Sequence, residues 1–342
     1  MNATSPQATS LFREPEGAWP NTLVLLGVSV GWVVSFVLMG ADAVWLNIAG
    51  VLLCVQAMVL AAYLIHEAAH YTLFATPAAN RRVGEWVSFI AGAGYASFER
   101  MRHMHIRHHR DRADVTCFDF KGLLVRQPWL KRVLCALEWA YIPATEILMH
   151  AQVIARPFFV ASQRRHLPRA LGMLALRVAL LVALGAWSIK ALLLYALAYC
   201  VLLHVLNFFD AFHHTFEQYF VEASQPVPME GRDRAYEQAN TYSNVFGLDN
   251  FWLNLMWLNF GYHNAHHERP TVAWHRLPAY HRELYGNDYR QVVPVSQLLK
   301  AFHQHRLTRV LSGDYGQVLD PSVAGRADGF VGAVGVSFLT AV

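Results

Sequence analysis

Four apolar stretches constrain this chain more than any other feature: residues 22–39, 43–65, 170–187 and 191–209. Each has about 18–23 residues, enough to cross roughly 30 Å of hydrocarbon as a helix. They come in two pairs, broken only by Gly40-Ala41-Asp42 in the first and by residues 188–190 in the second. Each pair therefore reads as a helical hairpin with a tight turn. Of the 342 residues 55% are apolar and 15% charged, whereas soluble domains carry about 25% charge. The missing charge is missing from these stretches. That excludes a disordered chain and an ordinary secreted or cytosolic domain.

The predicted fold is an all-α integral membrane protein, with two transmembrane hairpins and a cytosolic helical cap. Its expected divisions are a cytosolic tail (1–21), hairpin one (22–65), cytosolic and interfacial helices (66–169), hairpin two (170–209), and a cap with a C-terminal tail (210–342). Residues 66–169 hold fifteen Lys and Arg, while the two turns hold only Lys190. The positive-inside tendency then turns that stretch and both termini to the cytoplasm. Arg177, about two turns into the third span, is expected to snorkel to the interface. Residues 86–98, 133–154 and 246–262 are apolar but too short or too interrupted to span, and read as interfacial. Residues 329–342 receive no assignment. Residues 1–20 are acidic and proline-containing and lack a basic start before an apolar core, so no cleavable signal is expected. The four cysteines (Cys54, Cys117, Cys135, Cys200) show no CxxC spacing, which argues against a disulfide framework or a thiolate metal site.

Histidine is the unusual residue, with 18 His against four Lys. Three clusters are His66-x-x-x-His70, His105-x-x-His108-His109 and His263-x-x-His266-His267. On a helix, residues at i, i+3 and i+4 share a face, so each cluster presents its imidazoles together. At this His frequency one HxxHH is expected ~0.05 times by chance. The first cluster ends the second span. A fourth, Asp210, His213, His214 and Glu217, ends the fourth span as an i, i+3, i+4, i+7 stripe. Eight imidazoles exceed the four ligands of a zinc ion; they suit two metals with open positions, and imidazole without thiolate allows iron. His214 is the favoured ninth ligand, with His213 as the alternative. Glu67, Asp210 and Glu217 are expected to orient ligand imidazoles by hydrogen bonds.

HxxxH, HxxHH and HxxHH spread over two transmembrane hairpins resemble the membrane fatty-acid desaturase and hydroxylase superfamily, across about residues 22–290. The surroundings (YLIHEAAH, RHMHIRHHRDRAD, FFDAFHHTFE, FGYHNAHHERP) are similar to a bacterial branch that includes acyl desaturases and 1-alkene-forming fatty-acid decarboxylases. The resemblance implies a non-haem di-iron centre that uses O2 to remove hydrogens from an unactivated acyl chain. It also implies His66, His70, His105, His108, His109, His263, His266 and His267 as ligands, with His213 or His214 as the extra one. The implied partners are a fatty acid or acyl-carrier substrate and membrane lipid. With no CxxC, GxGxxG or flavin signature, electrons are expected from an external ferredoxin-like carrier.

Other readings share parts of this pattern. The same oxidant could hydroxylate the chain, or decarboxylate a free acid to a terminal alkene, with Arg102 or Arg107 holding the carboxylate. Gly92 and Gly94 could let an acyl chain pass or simply let helices pack. His66-Glu67-x-x-His70 is also the HExxH of zinc metalloproteases, with Glu67 as general base. That reading leaves six clustered histidines unexplained. The basic run at 100–112 has no interleaved aromatics, so nucleic acid is not an expected partner.

Overall fold

The computed structural model describes residues 10–216, 219–221, 226–286, 291–312, 316, 327, 329–337 and 339. Among these described residues, four helices are long and apolar enough to cross a membrane. In chain order they are α1 (Ala18–Gly40) and α2 (Val44–Ala69), then, after five shorter helices, α8 and α9. The shorter helices are α3 (Pro77–Ile90), α4 (Phe98–Asp111), α5 (Phe120–Arg126), α6 (Pro128–Trp139) and α7 (Ala144–Phe159). The second hairpin is α8 (Leu167–Trp187) and α9 (Ile189–Ala211). The protein is an integral membrane protein, mostly helical.

Both hairpin turns close their own backbone, as a turn near hydrocarbon must. Asn47 Nδ2 donates to the carbonyls of Leu38, Met39 and Ala41 at 3.0, 3.1 and 2.8 Å, covering the orphan acceptors at the end of α1. Ser188 Oγ caps α9 by accepting from Ala191 N at 3.2 Å. Lys190 Nζ reaches Ala41 O, tying one turn to the other. Helix α2 is the central one, buried at Cys54, Met58 and along Ala61–Ala69. The outer surfaces of α1 and α8 expose Leu23, Val30, Val37, Leu176 and Val182, the apolar face a lipid-bathed bundle presents.

The connecting helices are amphipathic. Trp86, Trp129, Trp139 and Trp252 are exposed, as side chains at headgroup level often are. Past α4 the chain makes a left-handed turn at Arg112 (φ 48°). It then enters β1 (Asp114–Thr116), which pairs in parallel with β2 (Tyr219–Val221), Asp114 opposite Tyr219. The remaining helices are α10 (Arg234–Ala239), α11 (Phe251–Leu255), α12 (His263–Glu268), α13 (Leu277–Tyr285), α14 (Val295–Gln304) and α15 (Thr308–Leu311).

Two sequence expectations change. Arg177 does not snorkel: it is 9% exposed and turned inward, its Nη2 donating to the Phe89 and Ala93 carbonyls. The end of α3 lies against α8 and offers the guanidinium acceptors closer than the interface does. In the C-terminal stretch left without assignment, the described residues Phe330, Ala333, Val334 and Leu339 are buried in the core. Phe330 packs edge-on against Phe212 at 5.0 Å, and Ala333 N donates to Ala211 O at 3.0 Å. Gly332 (φ +78°) permits this approach, because a Cβ there would sit 2.6 Å from Ala211 O.

Candidate metal centre

Helix ends deliver the histidines to one depth. Helix α2 carries His66 to its last turn with His70 as its C-cap; α4 carries His105, His108 and His109; α12 carries His263, His266 and His267. His213 and His214 follow the end of α9. Nine of these side chains fall into two groups, each with its ligand atoms within 4.8 Å of one another. One holds His66, His70, His105, His109 and His266; the other holds His108, His214, His263 and His267. Both HxxHH clusters are thus split between groups, because i+3 and i+4 neighbours diverge by about 100° around a helix. The groups abut, with the His109 and His267 rings 4.3 Å apart.

His214 stands in the second group and His213 in neither. His213 stacks on the His263 ring at 4.0 Å, and its Nε2 has no hydrogen-bond partner. Asp210 lines a small cavity of about 60 Å³ with His105, His108, His213, His214 and His263. It sits beside the imidazoles, with Ser337 as its hydrogen-bond partner. Glu217 lies outside the described residues.

The outward nitrogens of His66, His108, His214 and His267 have partners, while the Nδ1 atoms of His109, His263 and His266 are buried with none. Glu67 Oε1 meets His66 Nδ1 at 3.2 Å, while Glu67 Oε2 accepts from Thr72 Oγ1 at 2.7 Å and Trp274 N at 3.1 Å. Thr72 and Trp274 thus hold the Glu67 carboxylate beside the His66 ring. His108 Nδ1 donates to Ala113 O at 3.1 Å and lies 3.3 Å from Asp114 Oδ1. His267 Nδ1 donates to Glu237 Oε1 at 2.8 Å, and His214 Nδ1 lies 3.3 Å from Thr241 Oγ1. Arg112 Nε grips the other Glu237 oxygen at 2.9 Å. Asp114, Glu237 and Thr241 are missed by sequence reasoning. The left-handed turn at Arg112 returns Asp114 to His108, a local signal within RHHRDRAD. Glu237 lies 30 residues before His267 with no pattern linking them.

The Nε2 lone pairs converge. Nε2–Nε2 separations are 3.0 Å for His66–His266, 3.1 Å for His266–His109, 3.2 Å for His109–His105 and 2.7 Å for His105–His70. In the second group His108–His214 is 3.1 Å and His263–His214 is 3.0 Å. The buried Nε2 of His267 has no protein partner. Lone pairs aimed at one another repel, and a cation among them removes the repulsion. Ligands with bonds of about 2.1 Å to one ion stand about 3 Å apart when adjacent. Burial, then the neighbouring imidazoles, hold His105, His109, His263 and His266 well below the ordinary histidine value, and burial takes His267 down to about 4. Neutral imidazoles are the ligand form. His108 differs: burial lowers it, but Asp114 and the Ala113 carbonyl raise it on balance. The residues fit two metal ions.

A second, larger cavity of about 620 Å³ lies within the spans, walled by α1, α7, α8, α9 and the 92–96 loop. Trp32, Phe36, Val153, Leu180, Leu184 and Tyr199 are among its lining residues. Gly92 and Gly94 line it in left-handed conformations (φ +82° and +96°); a Cβ on Gly92 would fall 2.4 Å from the Tyr199 ring. Met101 lines this cavity, and Met104, one turn further along α4, lines the small one beside the histidines. Leu339 and Ser337 bridge the same two cavities from the C-terminal side.

Residues 43–298 match the fatty acid desaturase family. The chain belongs to that family. Sphingolipid delta(4)-desaturases from Komagataella phaffii and Candida albicans are each 27% identical to this desaturase over 237 residues, which are 67% and 66% of it. The match spans 58% of each relative's length. Membership of that family implies an enzyme of the membrane desaturase type that uses iron and oxygen, and the two histidine groups could hold metal ions.

Glu237→Gln should weaken metal retention ~10- to 100-fold, the usual cost of removing an outer partner of a ligating imidazole. Metal content after graded chelator exposure measures this; unchanged retention would remove Glu237 from the centre.

Proposed function

We propose that this desaturase acts on a fatty acyl chain with O2, introducing a carbon–carbon double bond at a di-iron centre. The observation that carries the reading is the pair of abutting all-imidazole groups beside a small cavity, with a long apolar cavity one helical turn away. His66, His70, His105, His109 and His266 would hold one iron; His108, His214, His263 and His267 would hold the other. Iron with O2 supplies an oxidant strong enough to take hydrogen from an unactivated methylene.

The chain's own residues do the rest. Glu67, Asp114 and Glu237 fix the orientation of His66, His108 and His267, so the lone pairs meet at a set point. Asp210 lines the small cavity beside the same imidazoles. The apolar walls exclude water and align one methylene pair. Two hydrogens leave the substrate, and with two electrons and two protons O2 becomes two waters. The electrons come from an external ferredoxin-like carrier. The substrate is a fatty acid or its carrier-linked acyl group, drawn from membrane lipid. The protein sits in a bacterial inner membrane with the histidine centre facing the cytoplasm, residues 66–169 and 210–342 forming its cap.

Mass spectrometry of lipid extract and headspace, from cells expressing the wild type or an inactive His108→Ala variant with a competent electron donor, tests this. The expected result is a new double bond in acids of unchanged length. A volatile alkene one carbon shorter would reassign the enzyme as a decarboxylase, and an oxygenated acid as a hydroxylase. An unchanged acyl profile would sink the proposal.

A further inference from the structure

Arg177 lies ten residues into α8, about 15 Å along it at 1.5 Å per residue, and lines the large cavity. A charge at such depth is costly and marks a function unless something neutralises it. Among the described residues no carboxylate pairs with it. Nη2 donates to the Phe89 and Ala93 carbonyls, and the group lies 4.3 Å over the Phe89 ring, but Nε is buried with no acceptor. Two carbonyl dipoles satisfy one nitrogen and leave the charge. The other polar groups on this wall are neutral: Tyr199 Oη and His150 Nδ1 bond each other at 2.9 Å. The two arginines first considered as carboxylate anchors are engaged elsewhere. Arg102 stacks on Tyr71 at 4.1 Å, and Arg107 Nε donates to Asp111 at 2.7 Å. Neither lines either cavity.

We infer that Arg177 is the anion-binding group of the transmembrane cavity and takes the carboxylate of an unesterified fatty acid. The inference rests on reading this cavity as the acyl site, and narrows its substrate to the free acid. A carrier-linked chain brings a neutral thioester, and its polar carrier cannot be enclosed at this depth, so the cation would be left against alkyl groups. A free carboxylate supplies the missing charge, and planar guanidinium is the group best shaped to hold one. A purely structural Arg177, capping the end of α3, would be indifferent to the substrate's head.

Equilibrium binding of radiolabelled palmitic acid and of methyl palmitate to the holoenzyme in nanodiscs separates these cases. The wild type should hold the acid roughly 10- to 100-fold more tightly than the ester, the worth of a charge-assisted hydrogen bond. Arg177→Gln should bind the ester as the wild type does and lose the preference. Arg177→Lys, which keeps the cation if the glutamine variant misfolds, should retain part of it. Equal binding of acid and ester by the wild type overturns the inference alone, as does a preference that survives in Arg177→Gln. Binding of neither ligand by the wild type overturns the acyl-cavity reading with it.

Discussion

His108→Ala should lower bound iron from about two to about one per chain and reduce turnover further than the ~10- to 100-fold cost of losing an outer partner. His108 Nε2 converges with that of His214, and its Nδ1 is fixed by Ala113 and Asp114. Alanine leaves His214, His263 and His267, three nitrogens without the fourth that closes the group. The other five-histidine group shares no ligand with it, so one iron should remain. The Asp114 carboxylate would lose its histidine partner too, weakening the return of the chain after Arg112. Iron analysis alongside turnover reads both effects. Two irons with normal turnover would end the assignment of His108.

Val153→Trp should cut turnover of acyl substrates by about 100-fold or more while leaving iron content unchanged. Val153 is buried on α7 and lines the large cavity, away from every histidine of the two groups. The indole has open volume to enter, so overpacking, which costs about 1–3 kcal/mol in a filled core, should be mild. What it removes is space for the chain, and a chain displaced by even ~1 Å from a reacting centre can lose 100-fold in rate. Full turnover in this variant would show that substrate reaches the histidines by another route. Loss of iron would show instead that the substitution damages the fold.

These two variants probe different layers of information. The clustered histidines were legible because each motif is local: HxxxH and HxxHH need only helical periodicity to put their imidazoles on one face. The membrane spans were legible for the same reason, since length and apolarity within one stretch suffice. Asp114 was present in a quoted motif and still missed, because its meeting with His108 depends on the left-handed turn at Arg112. Glu237 carried no local signal at all.

By itself the sequence determined the four spans, their pairing in hairpins, and the set of histidines gathered at one end of them. All are properties of segments shorter than about 25 residues, where the 3.6-residue repeat and hydrocarbon thickness dictate the outcome. Only the tertiary structure decided how the boxes divide between two groups, that His214 enters one while His213 stacks outside it, and that Arg177 turns inward. It also decided that Val336 and Ser337 line the small cavity beside the histidines. Those outcomes depend on contacts between elements far apart in the chain, such as His66 with His266 or Gly332 with Ala211. A helix fixes which side chains share its face, and the packing of its neighbours fixes what that face meets.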